Sequence, residues 1–413
     1  GERAGAAMSA EGDTPHAAVP PPPFLSAPAP AAVLAALPGA RAVGGCVRDA
    51  LAVRPIQDVD VAAPLPPDAM IPLLRRAGMK VFETGLAHGT VTAVLAGQPV
   101  EVTSLRRDVE TDGRRAEVAW TTDWREDAAR RDFTMNAMSL AADGRLWDYF
   151  GGREDLAAGR VRFVGDPDTR LREDYLRALR FFRFQARYGQ GEPDAAALAA
   201  IRAAVPGLAR LSAERVWMEL KRLLAAPDPS GAVALMAESG VLGAVLPEST
   251  ESPALARLAA LEDSSDPLLR FAALLPPGTG TGGLAARLRM SGAEAATLDA
   301  LLRGAVPSPG DDDAALRRAL AEAGHAALRG RLLLAEARGA EGDFAGLRRR
   351  LAGMERPEFP LQGRDVLALG VPPGPEVGRL LGAARSWWMD RGCVDDAEAC
   401  RGKLRELAAA RGI

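Results

Sequence analysis

Asp58 and Asp60 stand on either side of a single valine in the stretch QDVDVAA. Side chains alternate along an extended strand, so residues two apart share a face. The two carboxylates would then point one way and Val59 and Val61 the other. Carboxylates on one face raise each other's cost of ionisation unless a counter-charge sits near them. A hard divalent cation such as Mg2+ suits that place, because it takes carboxylate oxygens together with substrate phosphate. The plainer reading is an exposed strand edge carrying two acids, and a bare D-x-D does not choose between the two.

The neighbouring residues add to the pair. Gly44 and Gly45 follow a strand-like run and open a helix, so backbone amides there can approach a phosphate that a Cβ would keep away. Arg48 lies one turn further on and could clamp the same phosphate with two hydrogen bonds. A third spaced glycine is missing, which excludes the dinucleotide-binding fingerprint. Glu101, in PVEVTSLR, lies on a strand that could neighbour the aspartates. It either helps hold a metal or orient an acceptor hydroxyl, or is an ordinary solvent-facing strand residue.

Two further clusters carry charge. In RRDFTMNA (130–137) adjacent arginines sit beside an acid, and Asp132 is placed to orient Arg131 toward a phosphate. The alternative is an Arg–Asp tie between domains. In EDYLRALRFFRF (173–184), Asp174 and Arg177 are one helical turn apart, with Arg180, Arg183 and Arg187 extending a basic stripe. Such a stripe is commonly a solvated face. The acid–arginine pair has a specific use, however. Cytosine and adenine both present an amino donor beside a ring-nitrogen acceptor, and uracil and guanine present the reverse. An accepting Asp and a donating Arg would fit C and A and leave stranded polar groups against U and G.

The elements that must position these residues can be read from the pattern. RAVGG, QDVDVAA, KVFET, GTVTAVLAG and PVEVTSLR read as strands, and 31–40, VRDALAV and PDAMIPLLRRAG as helices. Beyond Gly151-Gly152 the segments 170–188, 194–204, 212–225, 230–240 and 281–303 carry helical apolar spacing, with Ser212 as an N-cap. The expectation is an α/β head followed by helices. The first thirty residues, rich in Ala and Pro, are expected to be a disordered lead-in.

Composition narrows the function classes. The 413 residues carry a net charge of −3, so the whole chain is no electrostatic magnet for nucleic acid. No apolar run approaches a membrane span. There are three cysteines without metal-like spacing, which points to a reduced, cytoplasmic setting. Three histidines, none followed by aspartate, leave no His-Asp phosphohydrolase motif and no histidine-rich metal site. Catalysis must run on carboxylates and arginines.

GGCVRD with DVD, then RRDFTMNAM, EDYLRALRFFRF and ERVWMEL, in that order, resemble the class II nucleotidyltransferases: bacterial-type tRNA CCA-adding enzymes and their poly(A) polymerase relatives. The likeness covers about residues 40–225, with a weaker continuation in ARLRMSGAEA and PLQGRDVLALGVPPGPEVGRLL. It implies an α+β fold, a nucleotidyltransferase head with a mixed β-sheet followed by an all-helical neck, body and tail. The corresponding divisions are 31–150 for the head, 151–225 for a neck that recognises the base, and 226–413 for a body and tail that bind tRNA. It further implies that Asp58 and Asp60 hold catalytic Mg2+. Gly45, Arg48 and Arg131 would contact the phosphates or sugar of CTP or ATP. Asp174 and Arg177 would read the base, with Arg180 and Arg183 completing the pocket.

The expected activity is template-independent CCA addition to the tRNA 3′ end. Alternatives are a poly(A) polymerase, an enzyme adding only part of CCA, or an inactive RNA-binding protein. The slightly acidic chain lacks the basic tail that would suit binding of any RNA. LRRDVETDGRRAEVAW (105–120) resembles the flexible loop such enzymes use when switching from C to A. Nothing specifies an oligomer, and a monomer is the default.

Overall fold

The computed structural model describes residues 13–109, 117–261 and 265–413. The chain forms two compact units, Gly1–Leu211 with Leu235–Ala244, and Ser212–Ala234 with Val245–Ile413.

Strands of the first unit are β1 (Ala17–Ala18), β2 (Arg41–Val43), β3 (Asp60–Ala63), β4 (Lys80–Gly85), β5 (Thr90–Leu95), β6 (Gln98–Ser104), β7 (Arg106–Val109), β8 (Glu117–Trp120), β9 (Met138–Leu140) and β10 (Arg145–Asp148). Its helices are α1 (Pro28–Ala36), α2 (Gly45–Leu51), α3 (Pro67–Arg76), α4 (Trp124–Ala129), α5 (Gly152–Ala158), α6 (Pro167–Glu173), α7 (Leu176–Tyr188) and α8 (Ala195–Ala204). Eight strands form one sheet in the order β1-β10-β9-β2-β3-β6-β5-β4, while β7 and β8 pair separately. β3 and β6 run parallel and the other pairs antiparallel, so the sheet is mixed. The middle of the 105–120 loop lies outside the described residues.

Alternation decides which face is buried. Val59, Val61, Ala63, Val91, Ala93, Val100 and Val102 pack with Val33, Leu37, Met70 and Leu74 of the α1 and α3 segments into one core. Fully burying each Val or Leu contributes about 1.5–3 kcal/mol, so this face fixes the register. The intervening residues Thr92, Glu101, Asp60 and Asp58 are left on the opposite face.

Residues 13–30 depart from the expected disorder. β1 pairs with β10, Leu25 and Ala29 are buried, and Pro28 opens α1. Proline at the first helical position has the φ that the helix needs and no N–H to waste, so the Ala/Pro richness builds structure here. Asp13 accepts a 2.9 Å hydrogen bond from Arg41, whose guanidinium lies between Trp124 and Trp147 at 4.2 and 3.4 Å. These groups line a cavity of about 790 Å³, and the paired Arg41 in its wall supports β2.

Two expected helices are broken. The segment 170–188 parts at Asp174, whose backbone is extended (φ −156°, ψ 108°) and whose carboxylate accepts from the Leu176 N–H at 3.1 Å. The segment 281–303 divides into Gly282–Arg287 and Gly292–Leu302, with Ser291 and Glu294 forming a capping box.

The described residues of the second unit contain helices and no strand. Ser212 caps Ala213–Leu224 by accepting from the Arg215 N–H at 3.4 Å. The compact units divide at Leu211–Ser212, inside the 151–225 segment that the sequence groups as one. No helix among the described residues is long and apolar enough to cross a membrane.

Candidate nucleotide and metal site

Asp60 is half-buried and Asp58 exposed, while Val59 and Val61 turn into the core. Across the parallel ladder Asp60 pairs in register with Glu101, which puts Glu101 beside the aspartates. Burial pushes the Asp60 carboxyl up to about 6, helped by the charge of Glu101, a shared hydrogen bond with it, and the charge of Asp58; Arg131 pulls the other way. Three acids thus meet with one nearby guanidinium opposing them.

That imbalance is one that a bound cation would offset. Among the described residues no three His, Cys, Asp or Glu side chains close into a ready-made metal cage. A hard ion that keeps water and takes substrate phosphate as further ligands needs no such cage. Asp58 and Asp60 are the residues that would hold it.

On the other side of Asp60, Val43 is its partner on β2, and the glycine turn follows at once. Gly44 has φ +73° and ψ −136°, a conformation that side chains rarely adopt. A Cβ on Gly44 would stand 3.7 Å from Arg131 Nη1, and one on Gly45 3.2 Å from Arg48 Nη2. Bare backbone and two guanidiniums therefore share this corner. Cys46 Sγ lies 3.8 Å from the Asp60 carbonyl, and burial pushes its thiol up to about 11. It packs and does not serve as a nucleophile.

The arginines are held more tightly than the sequence suggests. Arg48 donates to both carboxylate oxygens of Asp49 at 3.0 and 3.1 Å and to Asn136 Oδ1 at 2.7 Å. It lies over the Tyr188 ring, whose hydroxyl donates to Asp49 at 2.6 Å. Its fork is thus taken by Asp49, so the expected bidentate phosphate clamp is not its geometry here. Arg131 Nη2 donates to the buried Asp127 at 3.4 Å. Asp132, expected to orient Arg131, instead accepts from the Phe133 N–H and from Asn136 Nδ2 and pairs with Arg180 at 2.6 Å. Arg130, the C-cap of α4, and Arg131 after it both pair with Asp127, three and four residues earlier on the helix face.

At the α6–α7 break, Arg177 Nη1 donates to the Arg170 carbonyl at 2.9 Å and to Glu173 at 2.5 Å. Arg170 in turn reaches the Arg131 carbonyl at 3.5 Å. Asp174 and Arg177 therefore flank an interruption and do not sit on one continuous helix. Arg180 and Arg183 lie 6.0 and 4.8 Å from the Phe184 ring.

Two polar chains emerge. One runs Arg48–Asn136–Asp132–Arg180 and the other Arg131–Arg170–Arg177–Glu173. Both start at the glycine turn and end on the α6–α7 segment. Of the connecting residues, Asn136 and Glu173 belong to the polar clusters the sequence marks, whereas Asp127, Arg170 and Tyr188 carry no functional reading from it. Only the i, i+4 spacing of Asp127 with Arg131 could have marked any of these three.

Residues 40–162 match the family model of the poly A polymerase head domain, and 192–252 that of the probable RNA and SrmB-binding site of polymerase A. The CCA tRNA nucleotidyltransferase 1, mitochondrial, of Mus musculus is 36% identical over 364 residues, spanning 85% of this chain and 83% of that protein. The Danio rerio protein of the same name is 48% identical over 206 residues, and the CCA-adding enzyme of Geobacillus stearothermophilus 41% over 221. In those two matches the chain spans about half the relative's length, 47% and 53%. The crystal structure of the Bacillus stearothermophilus CCA-adding enzyme in complex with CTP superposes with a TM-score of 0.73 at 29% identity, covering 90% of this chain and 94% of that one.

Asn136 joins Arg48 to Asp132, so Asn136→Ala should break the first chain. The expected result is a loss of about 1–2 kcal/mol of stability in urea unfolding, together with weaker CTP binding by titration calorimetry. Unchanged CTP affinity would show that the chain does not support the nucleotide corner.

Proposed function

The chain belongs to the family of CCA-adding tRNA nucleotidyltransferases, and from that membership we propose that it adds CCA to the 3′ end of tRNA from CTP and ATP. The observation that carries the reading is the Asp58–Asp60–Glu101 face lying next to the Gly44–Gly45 turn and Arg131. A bound divalent ion, Mg2+ in our reading, would lower the cost of ionising the 3′-hydroxyl and offset triphosphate charge. Asp58 and Asp60 would hold it, and Glu101, sharing a hydrogen bond with Asp60, belongs to the same carboxylate group. Gly44 and Gly45 let backbone approach the phosphates, and Arg131 supplies charge where it accumulates on the leaving pyrophosphate. Arg48, pinned by Asp49 and Asn136, frames this corner. The RNA hydroxyl attacks the α-phosphate in line, and pyrophosphate departs.

Base choice falls to Asp174 and Arg177, which offer an acceptor and a donor to the shared edge of C and A. Arg180 and Arg183 border that pocket on the Phe184 side. Residues 31–150 serve as head, 151–225 as base-reading neck and 226–413 as tRNA-binding body and tail in this scheme. The Danio rerio and Mus musculus relatives are named mitochondrial. The cytoplasm expected from the sequence is thus one of two tRNA-holding compartments open to this chain.

A second reading, poly(A) addition, has the two matching polymerase family models in its favour. Incubation with tRNA lacking its 3′ end, CTP, ATP and Mg2+, followed by sequencing of the products, separates the two. A single CCA is expected, and long A tails on generic RNA would sink the CCA reading. Asp60→Ala should cut incorporation at least a hundredfold, as loss of several kcal/mol of metal-borne stabilisation requires. Arg177→Ala should relax discrimination against UTP and GTP by about ten- to a hundredfold. Equal loss for all four nucleotides would remove Arg177 from base reading.

A further inference from the structure

In-line phosphoryl transfer puts the attacking oxygen and the leaving group on opposite sides of the phosphorus. The groups assigned to the triphosphate, Gly44, Gly45 and Arg131, all stand on the β2 side of Asp60. The acceptor hydroxyl must then arrive from the other side, over β6, β5 and β4.

One register row crosses those strands. Asp60 pairs with Glu101, Glu101 with Thr92, and Thr92 with Phe82. Directly paired residues point to the same side of a sheet, so all four share the face that carries the carboxylates. The opposite face is closed by the core, into which the neighbouring Val81 packs. Phe82 is 52% exposed on the open face. Thr92, which stands in the row between Phe82 and Glu101, has its hydroxyl 2.8 Å from that of Thr84. Lys80, one of only three lysines in the sequence, is exposed two residues before Phe82 on β4 and so turns to the same side.

With strands about 4.8 Å apart, three strand steps put Phe82 about 14 Å from Asp60. At a rise of about 3.4 Å per stacked nucleotide, that is a few nucleotides behind the reacting end. We propose that Phe82 is a stacking platform for a base of the RNA acceptor strand, with Lys80 against the adjoining phosphate. The proposal rests on the reading of this chain as a tRNA nucleotidyltransferase. Continuity with the carboxylate row and the positive charge of Lys80 favour RNA over a protein partner on this face.

Base–aromatic stacking is worth about 1–3 kcal/mol per base. Phe82→Ala should therefore raise the tRNA KM by about five- to a hundredfold, with the CTP KM unchanged, and Phe82→Trp should retain wild-type values. Because Phe82 is exposed, equal melting temperatures are expected and keep folding out of the comparison. Lys80→Ala should lower the slope of log affinity against log salt by about one. An unchanged tRNA KM in Phe82→Ala, or a wild-type dimer that the substitution splits, overturns the proposal. Direct tRNA binding without nucleotides separates the two readings. Weaker binding by Phe82→Ala alongside a wild type that adds no CCA would sustain the platform and overturn the functional reading. Intact binding alongside normal CCA addition would do the reverse.

Discussion

The packed aliphatic core on one face of β3, β5 and β6 is the constraint on which the acid cluster of the first unit depends. Three acids on one sheet face would relax apart if the backbone allowed it. The backbone does not allow it, because the opposite face of the same strands is a packed aliphatic core whose register cannot slip without turning every side chain over. The parallel β3–β6 pairing then sets Glu101 against Asp60. Burying Asp60 beside Glu101 costs stability in the free protein, the kind of local cost that functional sites carry.

Arginines complete the site by being held still. Arg48 and Arg131 each meet a carboxylate that fixes their direction, and the two polar chains continue from them to α7. A group fixed in advance needs no reorganisation when charge develops nearby. The same chains join the metal and phosphate corner to the residues assigned to the base. In the roles proposed above, chemistry and base choice would thereby be linked within one compact unit.

Much of this was legible in the residues. Strand alternation alone put Asp58 and Asp60 on one face, and the glycine pair marked a turn whose φ of +73° at Gly44 the structure bears out. Glu101 was ambiguous because its neighbour is set by a parallel crossover, which local pattern does not specify. The partners of Arg131 and Asp132 were exchanged because adjacent residues can pair in several ways, and only the end of α4 decides between them. Asp174 looked like a helix residue until its carboxylate was seen to cap the next helix. Residues 13–30 read as disordered because Ala and Pro are common in unfolded chains, yet the same residues also start helices and line sheet edges. Phe82 carried no signal, since one exposed aromatic on a strand becomes informative only once its register row is known.

The central claim is that burial and neighbouring acids together strain the carboxylate face at Asp60, and that a cation with a nucleotide relieves it. Urea unfolding of the wild type and Asp60→Asn at pH 7.5, in EDTA and again with Mg2+ and CTP, tests it most directly. In EDTA the Asn variant should be more stable by about 1–2 kcal/mol, since a carboxyl held up at about 6 by burial, and next by Glu101, no longer incurs either cost when replaced by a neutral amide. Mg2+ and CTP should then stabilise the wild type and leave the variant nearly unmoved. An Asn variant less stable than the wild type in EDTA, with the same response to Mg2+ and CTP, would contradict the claim.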